Sequence, residues 1–207
     1  MWLSKLILNP RSWAARRDLT NPYEMHRTLS WSVAEALQTR QERLLWRVEP
    51  VRFGPPVVLV QTLTKPDWSR VFARFPHYGE LDPTSPKFFQ PAFSPGQTLR
   101  FRLLANPTVK RLEKRHALWG REEKVEWLHR KLAAAGAEVL QVMIAGERRV
   151  QAWKPKEEEV TPIIFYAVLY EGLLRVVDPP RLEAALVKGI GPAKGLGMGL
   201  LSLARVR

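Results

Sequence analysis

The spacing of apolar residues divides the first half of the chain into strands and helices. Apolar–polar alternation and β-branched runs predict four strands, at residues 2–8, 43–49, 57–63 and 97–105. A basic segment with Arg11, Arg16 and Arg17 and the proline-interrupted residues 76–95 are predicted to be loops.

Helical spacing marks residues 22–38 and, more briefly, residues 67–75. In the longer segment apolar residues recur every three or four positions, at Met25, Leu29, Val33, Ala36 and Leu37. Asn21 is predicted to cap this helix, with Pro22 at its first position and Glu24 completing a capping box. The resulting order, β-α-β-β-α-β, is typical of a ferredoxin-like fold.

The second half varies the same plan. It contains a predicted strand at 114–119, a helix at 122–135, and two hairpins, 138–144 with 149–153 and 163–170 with 173–177. A helix at 180–187, capped by Asp178, and a strand at 200–206 end the chain. We therefore predict an α+β protein of two tandem ferredoxin-like domains, residues 1–95 and 96–207, the second with an extra β-hairpin.

The charge balance points to a polyanionic partner. Thirty-three Lys and Arg against 20 Asp and Glu give a net charge of +13 and a pI near 10.5, which favours nucleic acid over a charge that only keeps the protein soluble. The sequence has no cysteine, no signal-peptide pattern and no apolar run of about 20 residues. We therefore expect a cytoplasmic protein that does not associate with membranes.

Candidate chemistry gathers on one face of the helix at 22–38. His26 lies at the edge of the apolar stripe, with Tyr23 three residues before it, Ser30 four residues after it, and Arg27 adjacent. Such a set suits cleavage of an RNA phosphodiester: histidine can move a proton near neutral pH, and arginine can stabilise developing negative charge. The alternative is a half-buried histidine that bonds only to a backbone carbonyl.

Other chemistries find little support. His77, His116 and His129 are isolated from metal-ligand spacings, no compact acidic cluster occurs, and a cysteine nucleophile is impossible. Hydrolysis by a bound metal is therefore disfavoured, and no cofactor is expected. The loop with Gly189, Gly191, Gly195, Gly197 and Gly199 lacks the Walker pattern, so it either binds an RNA phosphate through its amides or is a turn needed for close packing.

Two motifs, residues 21–27 (NPYEMHR) and the glycine-rich loop, closely resemble those of the CRISPR repeat-processing endoribonucleases of the type I-E Cascade system, within the RAMP superfamily. Shorter matches lie at residues 8–10, 44–47 and 176–179. The resemblance covers the whole chain and implies two ferredoxin-like domains. It also implies metal-independent cleavage of CRISPR precursor RNA at the 3′ base of the repeat stem-loop, leaving a 2′,3′-cyclic phosphate (or 3′-phosphate) and a 5′-OH.

The resemblance also suggests roles for individual residues. Tyr23 and His26 match the family's catalytic tyrosine and histidine, whereas the lysine and serine that some relatives carry further along the helix fall on a turn with Trp31 and Ala34. The enzyme is expected to remain on the RNA hairpin among other Cascade subunits and to be a monomer when free; the alternative is a non-catalytic RNA-binding subunit. The candidate RNA-binding residues are Lys110, Arg111, Lys114, Arg115, Arg148, Arg149, Lys154, Lys156, Lys188, Lys194, Gly195 and Gly197.

Overall fold

The computed structural model describes residues 1–39, 42–51, 53–154 and 161–206, and these residues form two compact units. The first unit comprises Met1–Gln90, Gln151–Ile163 and Gly195–Gly197, and the second comprises Pro91–Val150, Ile164–Lys194 and Met198–Arg207. The units are therefore discontinuous in sequence, whereas the predicted domains are continuous. The predicted domain boundary between residues 95 and 96 stays a prediction.

The first unit is an antiparallel sheet with helices between its strands. Its elements are β1 (Trp2–Leu8), α1 (Trp13–Thr20), α2 (Pro22–Ser30), a 3-10 turn (Trp31–Val33), α3 (Ala34–Gln38), β2 (Leu45–Glu49), β3 (Val57–Thr62), α4 (Ser69–Arg74), β4 (Gly79–Leu81) and β5 (Lys87–Phe88). The strand order is β2-β3-β1-β4, with β5 also paired to β1. This order is that of a β-α-β-β-α-β unit.

Three predictions for this unit are wrong. The basic segment after Asn9 is not a loop but α1, because the Ser12 side chain accepts from the Ala15 N–H and caps it. The loop predicted at 76–95 contains β4 and β5. The position in the sheet predicted for the strand at residues 97–105 is occupied by β4 instead. The helix predicted at 22–38 is broken after Ser30 by the 3-10 turn, where the Ser32 hydroxyl donates to the Leu29 carbonyl.

The predicted start of α2 is confirmed for the cap at Asn21 and for Pro22 at the first helical position. The Asn21 side chain accepts from the Tyr23 N–H at 3.2 Å. Glu24 does not complete a capping box, because the Asn21 N–H already donates to the Arg17 carbonyl at the end of α1. Instead the Glu24 carboxylate pairs with Arg27 and Arg17.

The second unit repeats the topology. Its elements are β6 (Thr98–Ala105), β7 (Thr108–Arg111), β8 (Lys114–Ala117), α5 (Arg121–Ala134), β9 (Ala137–Lys154), β10 (Thr161–Val176), α6 (Pro179–Lys188), a second 3-10 turn (Lys194–Leu196) and β11 (Leu201–Arg205), with the end of β9, the start of β10 and Gly195–Leu196 counted in the first unit. The four-stranded sheet has the order β11-β6-β10-β9, and β7 pairs only with β8. The extra hairpin is therefore β7–β8, which lies before α5.

The two hairpins predicted for residues 138–177 are wrong, since β9 and β10 are long continuous strands. The register between β10 and β6 runs unbroken from Val168 opposite Ala105 to Arg175 opposite Thr98. Gly172 lies within this ladder, where a Cβ atom would overlap the Gln141 carbonyl oxygen. This glycine thus permits a close backbone approach rather than a turn.

The core of the first unit fixes the orientation of α2. Met25 and Leu29 are fully buried, and Val33 in the following turn is 5% exposed. These side chains pack with Leu6, Leu8 and other apolar residues of the sheet. The predicted apolar stripe is confirmed, and it leaves His26 at its edge.

Candidate active site

A cleft of about 480 Å³ opens beside α2 in the first unit. The residues that line it are Arg17, Glu24, His26, Arg27, Thr28, Ser30, Trp31, Ala34, Leu37, Gln38, Arg74 and Phe75. They include three of the four predicted catalytic residues. Tyr23, half-buried and one helical turn before His26, is not part of this lining.

The His26 side chain is half-buried, and its surroundings favour the neutral form of the imidazole. Burial lowers its pKa from the ordinary value of 6.5, because the charged imidazolium loses solvation. Its Nδ1 atom is buried and has no hydrogen-bond partner among the described residues. No carboxylate or carbonyl in this part of the chain therefore stabilises the imidazolium at that nitrogen.

Gly195 covers one face of this imidazole. A Cβ atom at position 195 would lie 3.7 Å from His26 Nε2 and 3.8 Å from both Cδ2 and Cε1. Such nearly equal distances place that position above the ring rather than in its plane. A methyl group at this position would therefore contact the ring face at ordinary van der Waals distance.

Ser30 and Arg27 hold their places through local bonds. The Ser30 hydroxyl donates to the His26 backbone carbonyl at 2.6 Å, rather than to the imidazole. An Arg27 Nη atom lies 2.8 Å from a Glu24 carboxylate oxygen, and the side chain is 57% exposed. Both residues border the cleft, but the charge of Arg27 is partly neutralised by the Glu24 carboxylate.

Behind the cleft a buried polar network ties α1 to α2. Arg17 donates to Asp18 at 2.8 Å and to the Thr28 hydroxyl at 2.9 Å, and the Tyr78 hydroxyl donates to the other Asp18 oxygen at 2.8 Å. Burial raises the pKa of Asp18, although hydrogen bonds from Thr28, Tyr78 and Arg17 oppose the rise. Arg17 therefore connects α1 to α2, the helix that carries His26.

The pattern along the sequence does not indicate Arg74. It lies at the end of α4, where its guanidinium carbon is 4.3 Å from the centroid of the Trp31 ring. Both side chains line the cleft, although 43 positions separate them in sequence. Neither spacing nor a motif could have connected these residues, because only the packing of α4 beside the 3-10 turn brings them together.

The glycine-rich loop contains glycines that close packing requires, as one of its two alternative predictions states, whereas its contact with an RNA phosphate stays a prediction. A Cβ atom at Gly197 would lie 2.8 Å from the Trp46 ring, and one at Gly199 would lie 2.7 Å from the Ile190 carbonyl oxygen. Both glycines also have positive φ, +83° and +86°. These two are required for packing, whereas Gly195 lies against His26.

The predicted RNA-binding cations occupy several elements. Lys110, Arg111, Lys114 and Arg115 lie on the exposed β7–β8 hairpin. Arg148 and Arg149 do not lie at a hairpin tip but inside β9, so their side chains point to opposite faces. Lys154 ends β9, Lys188 ends α6, Lys194 is half-buried in the second 3-10 turn, and Lys156 lies outside the described residues.

Within the described ranges no three His, Asp or Glu side chains come together as a metal-binding group. The helices in that part of the chain are also too short or too polar to cross a membrane.

Comparison with known proteins gives consistent matches along the chain. A family model described as CRISPR associated protein matches residues 1–205. The chain is 53% identical to the CRISPR-associated endoribonuclease Cse3 of Thermus thermophilus, covering 99% of this chain and 100% of that one. It is 33% identical to the CRISPR system Cascade subunit CasE of Escherichia coli, covering 99% of both.

Solved structures agree with this relationship. Cse3 bound to a 19-nucleotide RNA superposes with a TM-score of 0.90 at 52% identity, covering 99% of this chain and 100% of that one. Cas6e from Escherichia coli gives a TM-score of 0.71 at 29% identity, covering both chains completely. The predicted tandem ferredoxin-like fold is confirmed. Because the family model spans nearly every residue and two relatives exceed 30% identity over their whole length, the chain belongs to the CRISPR-associated protein family.

Proposed function

We propose that this protein is an endoribonuclease that cleaves CRISPR precursor RNA at the 3′ base of the repeat stem-loop, without a metal or other cofactor. The observation that carries the proposal is His26, half-buried with a lowered pKa in a cleft bordered by arginines. The 53% identity to a protein named an endoribonuclease supports RNA as the substrate.

The reaction follows from proton movement at one phosphodiester. Neutral His26 takes the proton of the 2′-OH upstream of the cut, the 2′-oxygen bonds to phosphorus, and the bond from phosphorus to the 5′-oxygen breaks. A proton then passes to the 5′-oxygen, for which the Tyr23 phenol and the imidazolium formed in the first step are the candidate donors. The products are a 2′,3′-cyclic phosphate, or the 3′-phosphate after its hydrolysis, and a 5′-OH.

The β7–β8 hairpin is proposed to bind the RNA backbone. Its register sets Lys110 opposite Arg115 and Arg111 opposite Lys114, so two pairs of like charges face each other across the strands. Such pairs destabilise a hairpin, and phosphates lying along it would relieve the repulsion. The remaining predicted cations, with the amides of Gly195 and Gly197, would extend this contact.

The relatives suggest the wider setting. Cse3 has been solved bound to RNA representing a pre-cleavage complex, and CasE is named a Cascade subunit. We infer that this chain, a monomer when free, stays on the cleaved repeat hairpin and joins other Cascade subunits. A non-catalytic RNA-binding subunit is the second candidate, and it requires that His26 be only structural.

Incubation with a labelled repeat hairpin in EDTA separates these candidates. Wild-type protein should cut at one position, and His26→Ala should lose cleavage while retaining binding, because the base is removed but the cations remain. His129→Ala, at an exposed position on α5, is the matched control and should cleave normally. Cleavage by His26→Ala at the wild-type rate would reject His26 as the base, and binding without any cleavage by the wild type would favour the second candidate.

The substrate provides a further control. An RNA with hydrogen in place of the 2′-OH just upstream of the cut should bind normally and remain intact, since the nucleophile is missing. Cleavage of that RNA would exclude the 2′-OH as nucleophile.

A further inference from the structure

Among the described residues three arginines line the cleft, and they differ in whether a carboxylate already neutralises their charge. Arg17 lies against the buried Asp18 and within 3.6 Å of Glu24, and Arg27 lies 2.8 Å from Glu24. Arg74 is exposed and has no carboxylate partner among the described residues. Of these three guanidiniums, that of Arg74 therefore has the charge most available to a bound anion.

Arg74 is nevertheless held in place. Its guanidinium stacks on Trp31 at 4.3 Å, and its α4 helix is anchored to the same turn by a backbone hydrogen bond of 2.8 Å from the Asp67 N–H to the Ser32 carbonyl. Stacking occupies a face of the guanidinium and leaves the N–H groups at its edge free. Trp31 thus orients the cation without neutralising it.

We propose that Arg74 binds the scissile phosphate and stabilises the negative charge that develops on its oxygens, and that Trp31 positions Arg74 for this role. This inference rests on the proposed function, because it needs the phosphodiester beside His26. The pairing of exposed Trp31, in the turn directly after α2, with a cation from a distant helix supplies what α2 itself lacks: a positive charge not shared with a carboxylate.

Single-turnover cleavage of the repeat hairpin tests the role of Arg74. Arg74→Gln keeps a polar side chain but is shorter and removes the charge, so the rate should fall by about 10²-fold, as when one transition-state donor is lost. The Kd for the uncleavable 2′-deoxy RNA should rise by less than about tenfold, because one phosphate contact among many disappears. Arg74→Lys should restore part of the rate, since a lysine keeps the charge but not the planar fork.

Arg70→Gln is the matched control. Arg70 lies one turn earlier on α4 and is paired with Glu35 and Asp67 outside the cleft lining, so the control removes the same charge without changing the rate. If Arg74→Gln cleaves as fast as Arg70→Gln while His26→Ala is inactive, the role of Arg74 is rejected and the proposed function stands. A wild-type protein that leaves the RNA intact would reject both.

The positioning role of Trp31 has its own readout. Trp31→Ala should slow cleavage without lowering the melting temperature appreciably, because the ring is 40% exposed, and Trp31→Phe should restore most of the rate by keeping an aromatic face. If Trp31→Ala cleaves at the wild-type rate, or if Trp31→Phe is as slow as Trp31→Ala, the positioning role is rejected.

Discussion

The environment of His26, more than its identity, sets its chemistry. An exposed histidine on the same helix would be half protonated near pH 6.5. Here burial disfavours the imidazolium, and Nδ1 has no partner in the described part of the chain that would offset that cost. The lowered pKa therefore favours the neutral imidazole, which is the form that the proposed role of general base requires.

This shift predicts the pH dependence of cleavage. Because the protonated form is inactive as a base and its pKa lies below 6.5, kcat/KM should stay constant from pH 8 to below pH 6.5. At lower pH it should fall about tenfold per unit. The measurement is the initial rate at subsaturating RNA and constant ionic strength. A rate that rises as the pH falls through this range would instead assign His26 as the acid.

Stability must be followed in the same experiment. The unfolded chain, with an unshifted histidine, binds a proton before the folded chain does, so this group lowers the free energy of unfolding as the pH falls below about 6.5. Far-UV circular dichroism at each pH shows whether the protein is still folded where the rate declines.

Neighbouring glycines of the glycine-rich loop have different surroundings. Gly197 faces the Trp46 ring with a φ of +83°, and Gly195, two residues earlier, faces His26 with ordinary van der Waals room for a methyl group. The glycines are alike in the sequence, but their surroundings differ.

Alanine substitution should separate the two positions. Gly197→Ala forces a side chain into left-handed backbone and within 2.8 Å of the Trp46 ring, so it should lower stability by about 2 kcal/mol or more. For a chain of this size that corresponds to a fall of about 4–8 °C in melting temperature. Gly195→Ala is the matched control and should not lower it. Equal melting temperatures for the two variants would contradict the packing role of Gly197.

The whole molecule carries a charge of +13, and the β7–β8 hairpin concentrates part of it at an exposed site. Its four cations face each other in like-charged pairs, with Glu113 bound to Lys110 as a partial compensation. Such an arrangement favours the binding of a polyanion along the strands, because the cations have too few carboxylate partners within the hairpin.

The salt dependence of RNA binding should reveal this. Replacing Lys110, Arg111, Lys114 and Arg115 by Gln should reduce the slope of log K against log salt concentration by about 2 to 4, because phosphate contacts that release counterions are lost. A double variant, Arg70→Gln with Arg175→Gln, removes cations already paired with carboxylates and should leave the slope unchanged. An unchanged slope in the hairpin variant would exclude it as an RNA contact.

Local patterns were enough to predict much of the fold. The strands β1, β2, β3 and β6, the cap of α2 by Asn21 and the cap of α6 by Asp178 follow from neighbouring residues, because hydrophobic period and capping depend on short separations. The position of His26 at the edge of a buried stripe followed in the same way.

The errors arose where distant partners decide. The tiny strand β4 forms only because β1 lies beside it, and Gly172 stays in a strand because the ladder to β6 continues past it. The loop predicted around β4 and the turn predicted at Gly172 were local interpretations that the sheet overrides.

By itself the sequence determined the order of most elements, the excess of positive charge and the helix face that carries Tyr23, His26, Arg27 and Ser30. Only the tertiary structure decided what surrounds that face. It brought Gly195 over the imidazole, tied Arg17 to Asp18, and stacked Arg74 on Trp31. These residues are separated along the chain, and their contacts follow from how the helices and loops pack rather than from the spacing of residues within any one of them.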